Sequence, residues 1–427
     1  MKRQFSSYFI EDLSTFKFQM LNFIKKFSIF CFLDNNDYNF HKSYECIAGV
    51  GMLRSLVSNG INSLKDFDRI KRDSDDWIFG HVAYDVKNEI ENLQSSNPDS
   101  IGFPGFLFFV PEIVFILSGN EIRIGVYSSL NAQEIFEEII SSEPVKIIDY
   151  PSPLLKSRFT KIEYIETVEK LQRHILRGDC YEINFCQEFY ADDIMIDPLS
   201  VYRKLNTLSP NPFSAFYKYH DKYLICSSPE RFLKKTGATI IAQPIKGTGK
   251  RIMNDSKVDQ QRKDDLLNSD KERSENIMIV DLVRNDLAKI CTQGSVVVSE
   301  FLAIYSFPQV HQMISTITGN VKENISLADI FYATFPMGSM TGAPKKRVME
   351  LIEKYERTSR GLFSGTVGYI TPEGDFDFNV VIRSILYNKS NSYLSIQAGS
   401  AITAKSEPEH EYEECLLKIS AMKKALE

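Results

Sequence analysis

FSGTVGYI (363–370), FDFNVVIRSILY (376–387) and SYLSIQAG (392–399) come in close order, each rich in β-branched and aromatic residues, with no helix between them. A parallel pairing needs a long crossover, so these read as strands of an antiparallel sheet. The same texture runs back along the chain through YEINFCQEFYA (181–191), FSAFYKY (213–219), KYLICSS (222–228), ATIIAQPI (238–245), SVVVSEFLAIY (295–305) and QVHQMISTITG (309–319). IVFILSGNEIRIGVY (113–127) reads as strand, Ser-Gly-Asn turn, strand. Helices are expected over 161–177, stopped by Gly178, over 270–289, 327–334 and 345–354, and from 409 to the end. The implied fold class is α+β, with large packed antiparallel sheets and helices on their outer faces, rather than a doubly wound parallel sheet. No GxGxxG follows a strand, and there is no phosphate-loop lysine motif.

The 427 residues allow two to four ordinary domains or one large composite one. Residues 1–150 form a less regular N-terminal part around GHVAYDV and FLFFVPEIVFIL, and 156–424 form the second domain, with sheets shared between them. The Pro- and Ser-containing stretch 149–157 reads as a linker or crossing. A hydrophobic fraction of 43% supports a sizeable core, and 56 acidic against 50 basic residues argue against general nucleic-acid binding. Seven cysteines without CxxC spacing read as buried thiols in a reducing cytosol. The N-terminus carries Glu11 and Asp12 where a signal peptide has its apolar core, and the run 101–119 is interrupted by Pro104, Pro111 and Glu112. A cytoplasmic protein with no membrane span is expected.

Two helices carry glutamates three residues apart: Glu272 and Glu275 in KERSENIMIVDLVRNDL, Glu411 and Glu414 in EHEYEECLLKIS, with Lys418 one turn on. If the faces oppose one another, four carboxylates converge, and oxygen-only donors suit magnesium. The alternative is two solvated helix faces. SSPERF (227–232) puts Glu230 in a turn after an apolar strand, where burial would make it a general acid; otherwise it is an ordinary turn acid. In QPIKGTGKR (243–251), Lys246 enters from a strand end, where it loses its proton more easily and becomes a nucleophile, or serves as a fixed cation. Gly247 and Gly249 let backbone approach a ligand, and Thr248 offers a hydroxyl. FPMGSMTGAPKKR (335–347) is a glycine-rich helix entrance of the kind that binds anions. Arg383, inside an apolar strand, faces a ligand or a carboxylate partner. Gly399, Ser400 and Ala401 in AGSAIT would let a substrate lie against the backbone.

Taken in order, GDCYEINFCQ, SSPERF, PIKGTGKR, DKERSENIMIVDLVRNDL, GSMTGAPK, GTVGYI, NVVIRS, AGSAIT and EPEHEYEE resemble the chorismate-utilising enzyme family from about Tyr164 to Lys423. FGHVAYDV and FVPE extend the likeness to the N-terminal part. The resemblance implies an α/β/β/α fold. It implies a magnesium ion held by Glu272, Glu275, Glu411 and Glu414 on the ring carboxylate of chorismate. It makes Glu230 the acid that protonates the departing C4 hydroxyl, and Thr248, Arg383, Gly399 and Lys418 binders of the substrate carboxylates. Isochorismate and salicylate synthases carry a lysine where this chain has Glu182. Anthranilate synthases usually carry PIAGT where this chain has PIKGT. The Lys246 slot and Asn276 are similar to the aminodeoxychorismate synthase component I branch, in which the lysine attacks C2 and ammonia then enters C4. That branch implies a role in p-aminobenzoate and folate synthesis.

The chain departs from the family pattern at VHQMIS (310–315), where Gln312 takes a slot often held by histidine, and at Phe363 and Ala401. The absent histidine suits an enzyme that stops at the amino intermediate. CFLDNNDYN (31–39) replaces the family's tryptophan-feedback motif. No cysteine lies in a glutaminase nucleophile motif, so a separate glutamine amidotransferase partner is implied. The runner-up is an anthranilate synthase large subunit. An inactive chorismate-binding scaffold is a further alternative, opposed by the presence of acid, lysine and carboxylates together.

Overall fold

The computed structural model describes residues 2–38, 43–58, 63–65, 67–142, 150–307 and 310–427. Two sheets dominate it, and every strand pair is antiparallel. The first has 12 strands, in the order Gln4–Phe9, Glu121–Val126, Ile113–Ser118, Cys46–Val50, Ile29–Asp34, Phe213–Tyr219, Lys222–Ser228, Ser384–Asn388, Tyr393–Ile402, Glu182–Ala191 and Gly342–Ala343, with Lys156–Ser157 also on Glu182–Ala191. The second has 10, in the order Ile245–Lys250, Val310–Asn320, Thr239–Gln243, Arg231–Thr236, Phe376–Asn379, Thr366–Ile370, Ile78–Val82, Phe106–Val110 and Arg54–Ser58, with Val297–Ser306 also on Val310–Asn320.

Alternation along the strands assigns the layers. In Ile29–Asp34, Phe30 and Phe32 join Met20, Phe23, Leu171 and Ile419 in a core beneath the helices, while Cys31 belongs to the core on the other face. The sheets meet so closely that a Cβ on Gly49 of the first would lie 2.4 Å from the ring of Phe79 in the second. On the far side of the second sheet, Phe108 packs on Phe67, with ring centroids 4.4 Å apart, and Phe67 in turn meets Phe331 of the Leu327–Thr334 helix. The result is the four-layer α/β/β/α arrangement. Ile29–Asp34 pairs with Phe213–Tyr219, and Ile78–Val82 with Thr366–Ile370, so both sheets take strands from either side of residue 150.

The expected helices form, the second-longest being Pro408–Ala425 and the longest Asp270–Ile290. Lys161–Leu176 starts at a capping box in which Thr160 and Glu163 satisfy each other's backbone N–H groups. One expected strand is corrected. FDFNVVIRSILY splits into Phe376–Asn379 in the second sheet and Ser384–Asn388 in the first. The chain crosses between sheets at 380–383, and Arg383 takes a positive φ of 50° there. Apolar residues are needed throughout a crossing of two packed sheets, so the break leaves little mark on the hydropathy pattern. Residue 149 of the expected linker lies outside the described residues, while 150–155 have no regular structure. None of the described helices is long and apolar enough to cross a membrane. All seven cysteines are buried and unpaired.

Candidate active site

Two neighbouring segments cross from the first sheet to the second side by side. One passes through Glu230 between Lys222–Ser228 and Arg231–Thr236, and the other through Arg383. They are tied by Val380 N–H donating to Glu230 O at 3.0 Å and Ser227 N–H donating to Arg383 O at 3.1 Å. The Glu230 carboxyl is only 4% exposed and accepts from Ser339 Oγ at 2.6 Å. Burial pushes its pKa up to about 7, against the opposing pull of Ser339 and Lys246. An acid with that pKa holds a proton to give at neutral pH. It lines a cavity of about 370 Å³ with Ser339, Pro244, Asp286 and Met337.

Lys246, on the edge strand Ile245–Lys250, donates from Nζ to Glu182 Oε1 at 2.7 Å. This corrects the expectation of a readily deprotonated amine. Burial does pull the lysine pKa down, but Glu182, Glu275 and Glu230 outweigh it and the net shift is upward. Gly247, with a φ of +93°, places this strand against the start of the Asp270–Ile290 helix, where a Cβ would lie 3.1 Å from Glu272 Oε2.

The four expected metal-ligating glutamates lie on the Asp270–Ile290 and Pro408–Ala425 helices. Lys271 joins the helices, with Nζ 2.9 Å from Glu411 Oε1 and 4.0 Å from Glu275 Oε1. Glu414 pairs with Lys418 at 2.6 Å, and Lys418 also donates to Gly399 O at 2.8 Å. Burial raises Glu272, and takes Glu275 up to about 8. For Glu414 burial is the largest single influence and acts upward, but Lys418, Lys271 and Lys246 together outweigh it and the shift is downward. Among the described residues, no three His, Cys, Asp or Glu side chains stand close enough to hold a metal as they are. Their chemistry nevertheless fits a hard divalent cation. The donors are all oxygen, Glu275 Oε1 and Glu411 Oε2 are buried without a hydrogen-bond partner, and an ammonium already spans the gap between the helices.

The remaining expected residues divide. Arg383 is half-buried, and burial lowers its pKa against the attraction of Glu414, which places its charge toward the same helix. Thr248 is exposed two residues along from Lys246 and registers with Gln312. Gln312 is buried, and its Oε1 has no hydrogen-bond partner. Gly399 and Ala401 pair with Cys186 and Asn184 on the face that Glu182 shares, and a Cβ on Gly399 would lie 2.4 Å from Cys186 Sγ. The Ser400 side chain turns to the opposite face, with its Oγ 3.1 Å from Tyr164 OH, which leaves its backbone for the expected contact. Asn276 anchors its helix, accepting from Ser315 Oγ at 2.6 Å.

Nothing in the sequence marks Ser339, Lys271 or Arg360 as site residues, and it marks Glu182 only as standing where other branches carry a lysine. Ser339, Lys271 and Glu182 are partners of residues distant in sequence. Arg360, 2% exposed, donates to Glu356, to Met340 O at 2.6 Å and to Asn184 O at 2.8 Å, clamping the Ser339 loop onto the Glu182–Ala191 strand. A larger cavity, about 540 Å³, is lined by Asp34, Tyr38, Glu45, Arg231 and Asp377. It contains none of the expected site residues.

A buried acid and a lysine set beside two glutamate-bearing helices in an α/β/β/α sandwich are the equipment of a small-molecule enzyme, and the chain belongs to the chorismate binding enzyme family, whose model matches residues 39–424. It is 32% identical over 362 residues to aminodeoxychorismate synthase component 1 of Bacillus subtilis, covering 82% of this chain and 76% of that one. It is likewise 32% identical over 369 residues to anthranilate synthase component 1 of Aquifex aeolicus, covering 82% and 74%. The structure of anthranilate synthase component I from Streptococcus pneumoniae superposes with a TM-score of 0.73 at 28% identity, covering 81% of this chain and 80% of that one.

Proposed function

We propose that this chain is the synthase subunit of an aminodeoxychorismate synthase, aminating chorismate at C4 to give 4-amino-4-deoxychorismate. The observation that carries the reading is Lys246, a buried amine in the same site as the buried acid Glu230. The Lys246 amine attacks C2, the ring double bonds shift, and the C4 hydroxyl leaves as water with the proton of Glu230. Ammonia then attacks C4 and expels the lysine. Arg383 and Lys418 supply fixed positive charge for the two substrate carboxylates. Glu272, Glu275, Glu411 and Glu414 would hold magnesium, which would supply positive charge to neutralise the ring carboxylate. The name "component 1" carried by relatives supports a separate glutaminase subunit as the ammonia source. The buried free thiols accord with a reducing, cytoplasmic setting.

The anthranilate-forming alternative has the equal identity of the Aquifex relative in its favour. One incubation separates them: the chain with chorismate, magnesium and ammonium, with products identified by mass. The C4-amino product that a lyase converts to p-aminobenzoate is expected. Anthranilate as the main product would overturn the reading.

A further inference from the structure

Lys246 has a partner that the reaction above leaves unused. Glu182 opens the Glu182–Ala191 strand of the first sheet, whereas Lys246 lies on the edge of the second. Their side chains meet at 2.7 Å and are 1% and 10% exposed. Glu182 Oε2 is buried with no hydrogen-bond partner, so one half of this carboxylate is open to a proton. Glu275, Glu230, Glu272 and Glu414 also act on the Lys246 charge. Glu182 alone is in hydrogen-bond contact with it among the described residues. A buried ion pair is weak as a stabilising device, and an apolar pair would join two sheets at least as well.

We propose that Glu182 is the proton acceptor that frees Lys246 for attack, and the donor that restores it; the assignment rests on the reading of Lys246 as nucleophile. In the resting pair the proton is on the amine and its lone pair is unavailable. Passing that proton to Glu182 frees the lone pair, which forms the N–C2 bond while the C4–O bond breaks and the hydroxyl takes the Glu230 proton and leaves as water. When ammonia forms its bond to C4, the C2–N bond breaks and its electron pair returns to the lysine nitrogen. Glu182 then gives its proton back to Lys246, and the new C4 ammonium gives one to Glu230. Chorismate and ammonia enter, the amino product and water leave, and both carboxyl groups end as they began.

The test follows the covalent step alone. The full chain is mixed with chorismate and magnesium without ammonia, and the lysine adduct is timed by intact mass across a pH series. Glu182→Gln is expected to form the adduct at least about 100-fold more slowly at neutral pH, the lower end of general-base effects, with recovery as solvent base rises. An adduct rate equal to or faster than wild type in a folded Glu182→Gln protein overturns the proposal: a merely structural role would leave the rate untouched, and a Glu182 that only holds the proton on Lys246 would, once removed, free the amine and speed the adduct. Should Glu182→Gln not fold, Glu182→Asp decides: a slower adduct supports the proposal and an unchanged rate overturns it. Absence of any adduct in the wild type overturns the nucleophile reading itself and this one with it.

Discussion

Glu230 owes its character to where its backbone runs. A carboxyl at a crossing between two packed sheets cannot reach bulk water, so its neutral form is favoured, and its pKa of about 7 follows. Turnover is therefore expected to fall about tenfold per pH unit above 7, as the donor loses its proton. Glu230→Gln should lose that limb, lower turnover about 100- to 10,000-fold and leave chorismate binding measurable by calorimetry. Near-normal turnover in that variant would place the acid elsewhere. Arg360 makes a different prediction. Its guanidinium and the Glu356 carboxylate are 1% and 2% exposed, so Arg360→Met leaves a buried charge alone and should cost about 3–5 kcal/mol in urea unfolding. The acid was readable in SSPERF because turn, strand and carboxylate are adjacent there. Its donor Ser339 lies 109 residues away, and nothing local links the two. The text around Lys246 shows its amine but not its ionisation, because the decisive neighbour, Glu182, is 64 residues earlier in another sheet.

At the scale of elements, the site is a meeting of two helices whose carboxylates cannot face each other unaided. Lys271, 41% exposed, stands between them on Glu411 and near Glu275. A metal ion binding these carboxylates must displace that ammonium, so Lys271→Met should tighten magnesium binding. Partly exposed ion pairs contribute about 0.2–1 kcal/mol, which sets the expected gain at about 1.4- to fivefold in Kd by titration calorimetry. Weaker binding in that variant would mean that Lys271 holds the site in shape instead. Helical spacing of three made both glutamate pairs legible, since i and i+3 share a face whatever the fold. The helix Ser256–Asn268 was not legible: only Asp259 and Leu266 are buried on it, so its sequence carries no apolar stripe. Its start is set instead by Asp255, which accepts from the N–H groups of Lys257 and Val258.

Over the whole molecule, the antiparallel design was readable because strands in close succession leave no room for crossovers, but which strand sits beside which was not. That order joins segments far apart in sequence. Ile29–Asp34 lies between Cys46–Val50 and Phe213–Tyr219, and Ile78–Val82 lies between Phe106–Val110 and Thr366–Ile370. The family motifs fall almost entirely after residue 160, which invites the idea of a separable catalytic half. The topology argues against it. Removing 1–150 would expose the ladder edge of Phe213–Tyr219 in the first sheet and of Thr366–Ile370 in the second, together with the faces that Phe79, Phe108 and Phe115 cover. Both new edges are unpaired and apolar, and such edges lead to aggregation rather than to a smaller native domain. A fragment spanning 156–427 is therefore expected to be insoluble or to melt without a cooperative transition. The full chain should unfold in one calorimetric step, because neither half owns a sheet. A soluble fragment with its own sharp transition, or two resolved steps in the intact protein, would show that the strands of the second half close a core without the first.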